Sequence, residues 1–114
     1  MTWTVELTPE FEQWFDRQAL GLKDRIRAVL VTLEATGPLL GRPWVDTLVG
    51  SRYPNMKELR VQYAGEPWRI CFAFDERRQA IILYGGKKTG KKRFYSSLIT
   101  RVDEIFARYL ESKN

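Results

Sequence analysis

The stretch Lys57–Phe74, KELRVQYAGEPWRICFAF, decides how this chain is read. Its first seven residues put Leu59, Val61 and Tyr63 on one side and Glu58, Arg60 and Gln62 on the other, the period of a half-buried strand. After AGEP, whose glycine and proline mark a turn, Trp68, Ile70, Phe72 and Phe74 alternate with Arg69, Cys71 and Ala73. Two such runs joined by a short turn make a β-hairpin. Matching the apolar sides sets Tyr63 opposite Trp68 and Gln62 opposite Arg69, and a slip of one residue would bury the polar set. Arg60 and Arg69 then share a face as diagonal neighbours.

Downstream, DERRQ is a turn and AIILY, residues 80–84, is a strand apolar enough for a central place in a sheet. Upstream, WTVEL alternates as a strand, and Thr8-Pro9 supplies an N-cap and a first-turn proline. Phe11, Trp14 and Phe15 follow at helical spacing. A second helix carries Leu22, Ile26, Val29, Leu30 and Leu33 and stops at Gly37-Pro38. Residues 37–56 show no period and read as a long packed loop, a feature that is often functional in so small a domain. Arg52 lies in it beside Tyr53. A last helix runs from about Tyr95 to Glu111 on the stripe Leu98, Val102, Ile105, Phe106, Tyr109 and Leu110. The order β-α-α-β-β-β-α implies an α+β domain over residues 1–114, with a small, mainly antiparallel sheet and the helices packed on one face.

At 114 residues and 44% hydrophobic content the chain suits one core. No apolar run approaches the roughly 20 residues of a membrane span, and the N-terminus lacks the pattern of a secretory signal. Cys71 is the only cysteine, so no internal disulfide forms and a cytoplasmic setting is expected. Histidine is absent, which removes the usual metal ligand and the usual acid/base group near neutrality. No metal and no cofactor are expected. Any catalysis falls to Lys, Arg, Tyr and carboxylates.

The net charge of +5 is unevenly spread. Residues 1–50 hold five Lys/Arg against seven Asp/Glu, and residues 51–114 hold fourteen against seven. A polyanion is the natural partner of such a basic half. The charge peaks at YGGKKTGKKRFY, Tyr84–Tyr95, with Lys87, Lys88, Lys91, Lys92 and Arg93. Gly85, Gly90 and Lys91 fit half of a phosphate-binding loop, but Lys92 stands where the magnesium-binding hydroxyl belongs. Cations at a helix N-terminus oppose the helix dipole. A nucleic-acid phosphate between the lysines and the free N–H groups resolves that conflict, with Phe94 and Tyr95 as stacking surfaces for an unpaired base.

LGRPWVDTL, SRYPNMKELR, PWRICFAFD and KKTGKKRFYSSLITRVDEIFARYL together resemble the RelE/ParE superfamily of type II toxin–antitoxin toxins, and within it the HigB-like branch. The resemblance covers nearly the whole chain. It implies the RelE-like fold and a toxin that enters the ribosomal decoding site and cuts mRNA. It also implies a cognate antitoxin, expected to be a small helix-turn-helix protein. Carried over residue by residue, the resemblance assigns catalysis to Arg60, Arg69, Lys88 and Tyr95. Lys57 is a further basic candidate beside Arg60. Tyr95 lies about one residue farther from Lys88 than in RelE-like members, and Lys87 stands where an acid is common. Arg52, Lys57, Lys87, Lys91, Lys92 and Arg93 are the expected RNA contacts.

The chemistry has its own logic. Metal-free RNA cleavage uses the 2′-hydroxyl as nucleophile, and it needs a proton acceptor there, cations on the phosphate oxygens and a donor for the departing 5′-oxygen. Guanidinium forks suit the second task. Crowded cations are expected to lower the pKa of Tyr95 and Lys88 towards usefulness. Glu58 is a candidate base or an ion-pair partner of Arg60. Two further readings compete: a ParE-like toxin acting on DNA gyrase, and an RNA-binding module that does not cut.

Overall fold

The computed structural model describes residues 2–113. Strand β1 (Thr4–Leu7) leads into helix α1 (Pro9–Asp16) and helix α2 (Leu20–Thr36). Strands β2 (Val45–Thr47), β3 (Met56–Tyr63), β4 (Glu66–Phe74) and β5 (Gln79–Lys87) precede helix α3 (Lys92–Ser112). The sheet order is β1-β5-β4-β3-β2, antiparallel except where β1 lies parallel to β5. Residues 37–56, expected as a loop, contain a short 3-10 turn at Gly37–Leu39 and the edge strand β2. The α+β class and the mainly antiparallel sheet follow the sequence reading.

Local signals account for the entry to α1. The Thr8 hydroxyl accepts from the Phe11 N–H at 3.2 Å and donates to the Ile82 carbonyl at 2.9 Å. One buried side chain thus caps the helix and ties it to β5.

The hairpin differs from expectation by two residues. Tyr63 pairs with Glu66, Gln62 with Pro67, and Arg60 sits directly opposite Arg69. Ala64 and Gly65 take φ of 52° and 76°, closing the hairpin in two residues where AGEP was expected to use four. Glycine adopts that φ freely, whereas alanine there costs about 1–2 kcal/mol. A two-residue shift preserves parity, so every side chain keeps its expected face.

The helices are not confined to one face, as the sequence reading had it. Phe11 and Trp14 of α1 and Leu22, Ile26 and Leu33 of α2 pack with Leu59, Val61, Ile70, Phe72, Ala80 and Ile82. On the opposite face Leu98, Val102, Ile105 and Phe106 of α3 pack with Leu48, Met56, Cys71, Ala73, Ile81 and Leu83. The reason lies in β4 and β5, which are apolar on both sides, so each face needs cover. Each fully buried Phe or Leu side chain contributes about 1.5–3 kcal/mol to this cover.

Gly85 has a packing task. A Cβ there would lie 2.6 Å from the Trp14 ring and 2.7 Å from Ile70 Cδ1. It is a strand residue wedged under α1, so no phosphate loop begins at this position.

Candidate nucleic-acid interface

The α3 side of the hairpin carries a buried polar knot. Glu58 and Arg69 are only 5% and 7% exposed. Arg69 Nε lies 3.4 Å from Glu58 Oε1 and donates to Tyr95 Oη at 3.3 Å. The Tyr95 hydroxyl donates to the same Glu58 oxygen at 2.7 Å. Arg69 Nη1 donates to the Trp68 carbonyl at 3.1 Å. Two arginines facing each other across a hairpin repel. Glu58 offsets that repulsion, with its Oε2 3.7 Å from Arg60 Nη2. Glu58 is therefore an ion-pair partner of both arginines.

Arg60 also reaches Asp46 Oδ2 at 3.5 Å, an oxygen already held by Arg42 at 2.7 Å. The hydrogen bond from Arg42, helped by the Thr47 N–H, keeps the Asp46 carboxyl below the usual range.

A cleft of about 630 Å³ opens beside this knot. Arg60, Lys88, Lys91, Lys92 and Tyr95 line it, with Glu58 and Asp46 in its wall. Lys88 Nζ sits 5.8 Å from the Tyr95 ring centroid. Among the described residues no carboxylate pairs with Lys88, Lys91 or Lys92. Helix α3 begins at Lys92, three residues before the expected start, and Lys91 caps it without a side-chain acceptor. No acid stands in its first turn. Its first N–H groups and the lysines together suit an anion.

Of the ten residues singled out in the sequence, Arg60, Lys88, Tyr95, Lys91 and Lys92 meet in this cleft. Arg69 lies beneath it, joined through Glu58 and Tyr95. The other four lie elsewhere. Lys57 has the opposite parity in β3, and its Nζ donates to Thr47 Oγ1 at 3.0 Å at the sheet edge. Lys87 pairs with Glu66 at 2.7 Å. Arg93 lines another hollow beside Tyr84 and Arg101, and Arg52 stacks on Tyr53 at 5.4 Å.

Sequence reasoning missed Asp46 and Asp103. Asp103 is 9% exposed on α3 and accepts from the Ser51 hydroxyl and the Arg52 N–H at 3.1 Å, pinning the loop before β3. The signal was available: Asp103 interrupts the apolar stripe between Val102 and Ile105, where a charge needs a partner.

The expectation that cations lower the pKa of Tyr95 is reversed. Burial raises it, and the hydrogen bond to Glu58 adds to the rise, outweighing Arg69. Burial likewise raises Tyr109, whose hydroxyl donates to Glu6 Oε2 at 2.7 Å. Both tyrosines hold their protons more tightly folded than unfolded. Stability from this source is whole below the ordinary tyrosine value of about 10 and is lost as pH rises through the higher folded values. Urea denaturation should therefore give a lower unfolding free energy at pH 11 than at pH 8, and Tyr109→Phe should flatten the difference. An equal difference in that variant would refute the assignment.

Residues 13–107 match the family model described as phage-derived protein Gp49-like. The putative toxin HigB3 of Mycobacterium tuberculosis is 42% identical over 111 residues, 96% of each chain. Putative toxin HigB2 of the same organism is 41% identical over 95% of this chain, which spans 54% of that protein's length. Among solved structures, a free-state mutant of the E. coli toxin RelE superposes with a TM-score of 0.65 at 13% identity, covering 90% of this chain and 99% of that one. RelE from the RelE–RelB complex of Pyrococcus horikoshii OT3 gives 0.58 at 17% identity, covering 81% and 100%. These two share the fold, and no helix among the described residues is long and apolar enough to cross a membrane. With residues 13–107, most of this chain, matched by the family model and HigB3 aligned almost end to end, this chain belongs to the Gp49-like family of HigB-type toxins.

Proposed function

We propose that this protein is the toxin of a type II toxin–antitoxin pair and that it cuts messenger RNA on the ribosome by metal-independent transesterification. The observation that carries this reading is the convergence of Arg60, Lys88, Lys91, Lys92 and Tyr95 on one cleft. Arg60 and Lys88 hold the non-bridging oxygens of the scissile phosphate, where one well-placed donor is worth about 3 kcal/mol of barrier. Lys88 gives a proton to the departing 5′-oxygen. Lys91, Lys92 and the first turn of α3 hold the phosphates to either side.

The buried set has a different task. Arg69, Glu58 and Tyr95 position Arg60 and the cleft floor. Both Glu58 oxygens are engaged, and Tyr95 is held as a donor with a raised pKa, so neither serves as base for the 2′-hydroxyl. The Asp46 carboxylate in the wall is likewise held, by Arg42, Arg60 and the Thr47 N–H, so the described residues are short of a free proton acceptor. That shortage supports dependence on the ribosome, whose RNA would complete the site.

A cognate antitoxin of helix-turn-helix type occupies the cation-rich face. The RelE proteins of E. coli and P. horikoshii, with the same fold, are each seen in complex with RelB. The test is brief induction in cells followed by sequencing of RNA 5′ ends. New ends within translated codons are expected. Intact mRNA with DNA-damage signalling would select the gyrase-directed reading instead, and intact mRNA with RNA still bound would leave a non-cutting RNA binder.

A further inference from the structure

Arg60 is a shared wall. Besides the cleft it lines a second hollow of about 330 Å³, with Arg25 and Val29 of α2, Trp44, Gln62 and Arg69. Three arginines line this space, and among the described residues no carboxylate does. Arg25 is exposed and makes no ion pair among the described residues, whereas its neighbour Arg27 is paired with Asp24. Trp44 is 51% exposed, an unusual place for so large an apolar surface, and its carbonyl accepts from the Arg60 N–H at 2.8 Å. That bond holds the backbone of Trp44 beside that of Arg60. Arg60 Nε is buried without an acceptor, so its donor set is incomplete in the free protein.

An exposed indole, the Arg25 guanidinium beside an Arg60 whose Nε still lacks an acceptor, and an exposed amide at Gln62 are what an unpaired nucleotide uses: a stacking surface, a phosphate clamp and a donor–acceptor pair for a base edge. We propose that this hollow is a second ribonucleotide subsite. It takes the nucleotide next to the one cut in the cleft, with the base on Trp44 and the phosphate between Arg25 and Arg60. The inference rests on the RNA reading above and extends it. RNA is favoured over an acidic peptide because the hollow shares Arg60 with the cleft, so one strand passes from one to the other.

The test uses the full chain and 2′-O-methyl hexanucleotides, which lack the attacking hydroxyl, with 4-thiouridine at each position in turn. After irradiation, one position should crosslink to the peptide containing Trp44 and its neighbour to the peptide containing Lys88–Lys92. Trp44→Ala should weaken binding about tenfold, within the range for loss of one stacked base. Trp44→Phe should stay within about threefold of wild type, and thermal melting should match for all three proteins. Crosslinks confined to the Lys88–Lys92 peptide, with Trp44→Ala binding normally, overturn the subsite and leave the RNA reading standing. RNA captured neither by the protein alone nor on translating ribosomes overturns both. Normal RNA binding by Trp44→Ala with loss of antitoxin co-purification assigns the hollow to a protein partner and overturns the proposal.

Discussion

Arg69→Ala is expected to remove about 3 kcal/mol of folding stability, measured as a lower urea midpoint at unchanged slope. The Arg69 side chain is 8% exposed and its partner Glu58 6%, so truncation leaves a buried carboxylate without its nearest cation. Arg60 at 3.7 Å and the Tyr95 hydroxyl still face Glu58, which holds the loss to the lower end of the usual 3–5 kcal/mol for a broken buried pair. Relief of repulsion between Arg69 and Arg60 offsets little, because Arg60 is 36% exposed and screened. Adding Glu58→Gln should restore most of the stability, since an amide tolerates that site without a cation. A single variant within about 1 kcal/mol of wild type would show that the ion pair does not hold the site together. Of a typical total of about 5–15 kcal/mol, a 3 kcal/mol loss is large. Silence of Arg69→Ala in cells is therefore weak evidence for catalysis.

Lys88→Ala is the cleaner probe, and it should lower the rate of mRNA cleavage in a translation extract by about 10²–10³. Lys88 is only partly buried and its ammonium has no carboxylate partner among the described residues, so stability should stay within about 0.5 kcal/mol. Lys88→Arg separates its two roles. An arginine keeps the charge on the phosphate but cannot give up a proton near neutrality, so RNA binding should survive while cleavage stays low. Cleavage at the wild-type rate in Lys88→Ala would remove Lys88 from the mechanism.

The periodic parts of the fold were legible in the sequence for a simple reason. Alternation in residues 57–63 and 68–74 and the helical stripes record which face is buried, and burial dominates the energetics of small domains. What stayed hidden depended on objects with no period. The hairpin register turned on whether Ala64 accepts a left-handed φ. The side of the sheet taken by α3 turned on the Cys71, Ala73, Ile81 and Leu83 face, which is apolar but made of residues that suit either face. The site divided the same way. Arg60, Arg69, Lys88 and Tyr95 were named through the family resemblance, with the shared face of the two arginines read from alternation, and the fold gathers them. Lys57 was a near miss decided by parity alone, since adjacent residues of a strand point to opposite sides. The pKa of Tyr95 was misjudged because counting cations leaves out burial, the larger effect here.

Strand β1 closes the sheet against β5, the last strand to be made, and the cleft is completed by residues that follow β5 in the chain. During synthesis the earlier strands emerge first and wait, because Thr4 finds Gln79 only after β5 is made and Glu58 finds Tyr95 only after α3 has begun. A nascent polypeptide that has reached only the end of β4 holds Arg60 and Arg69 but lacks the lysine rim, so the cleft forms only after Lys88–Tyr95 have been added.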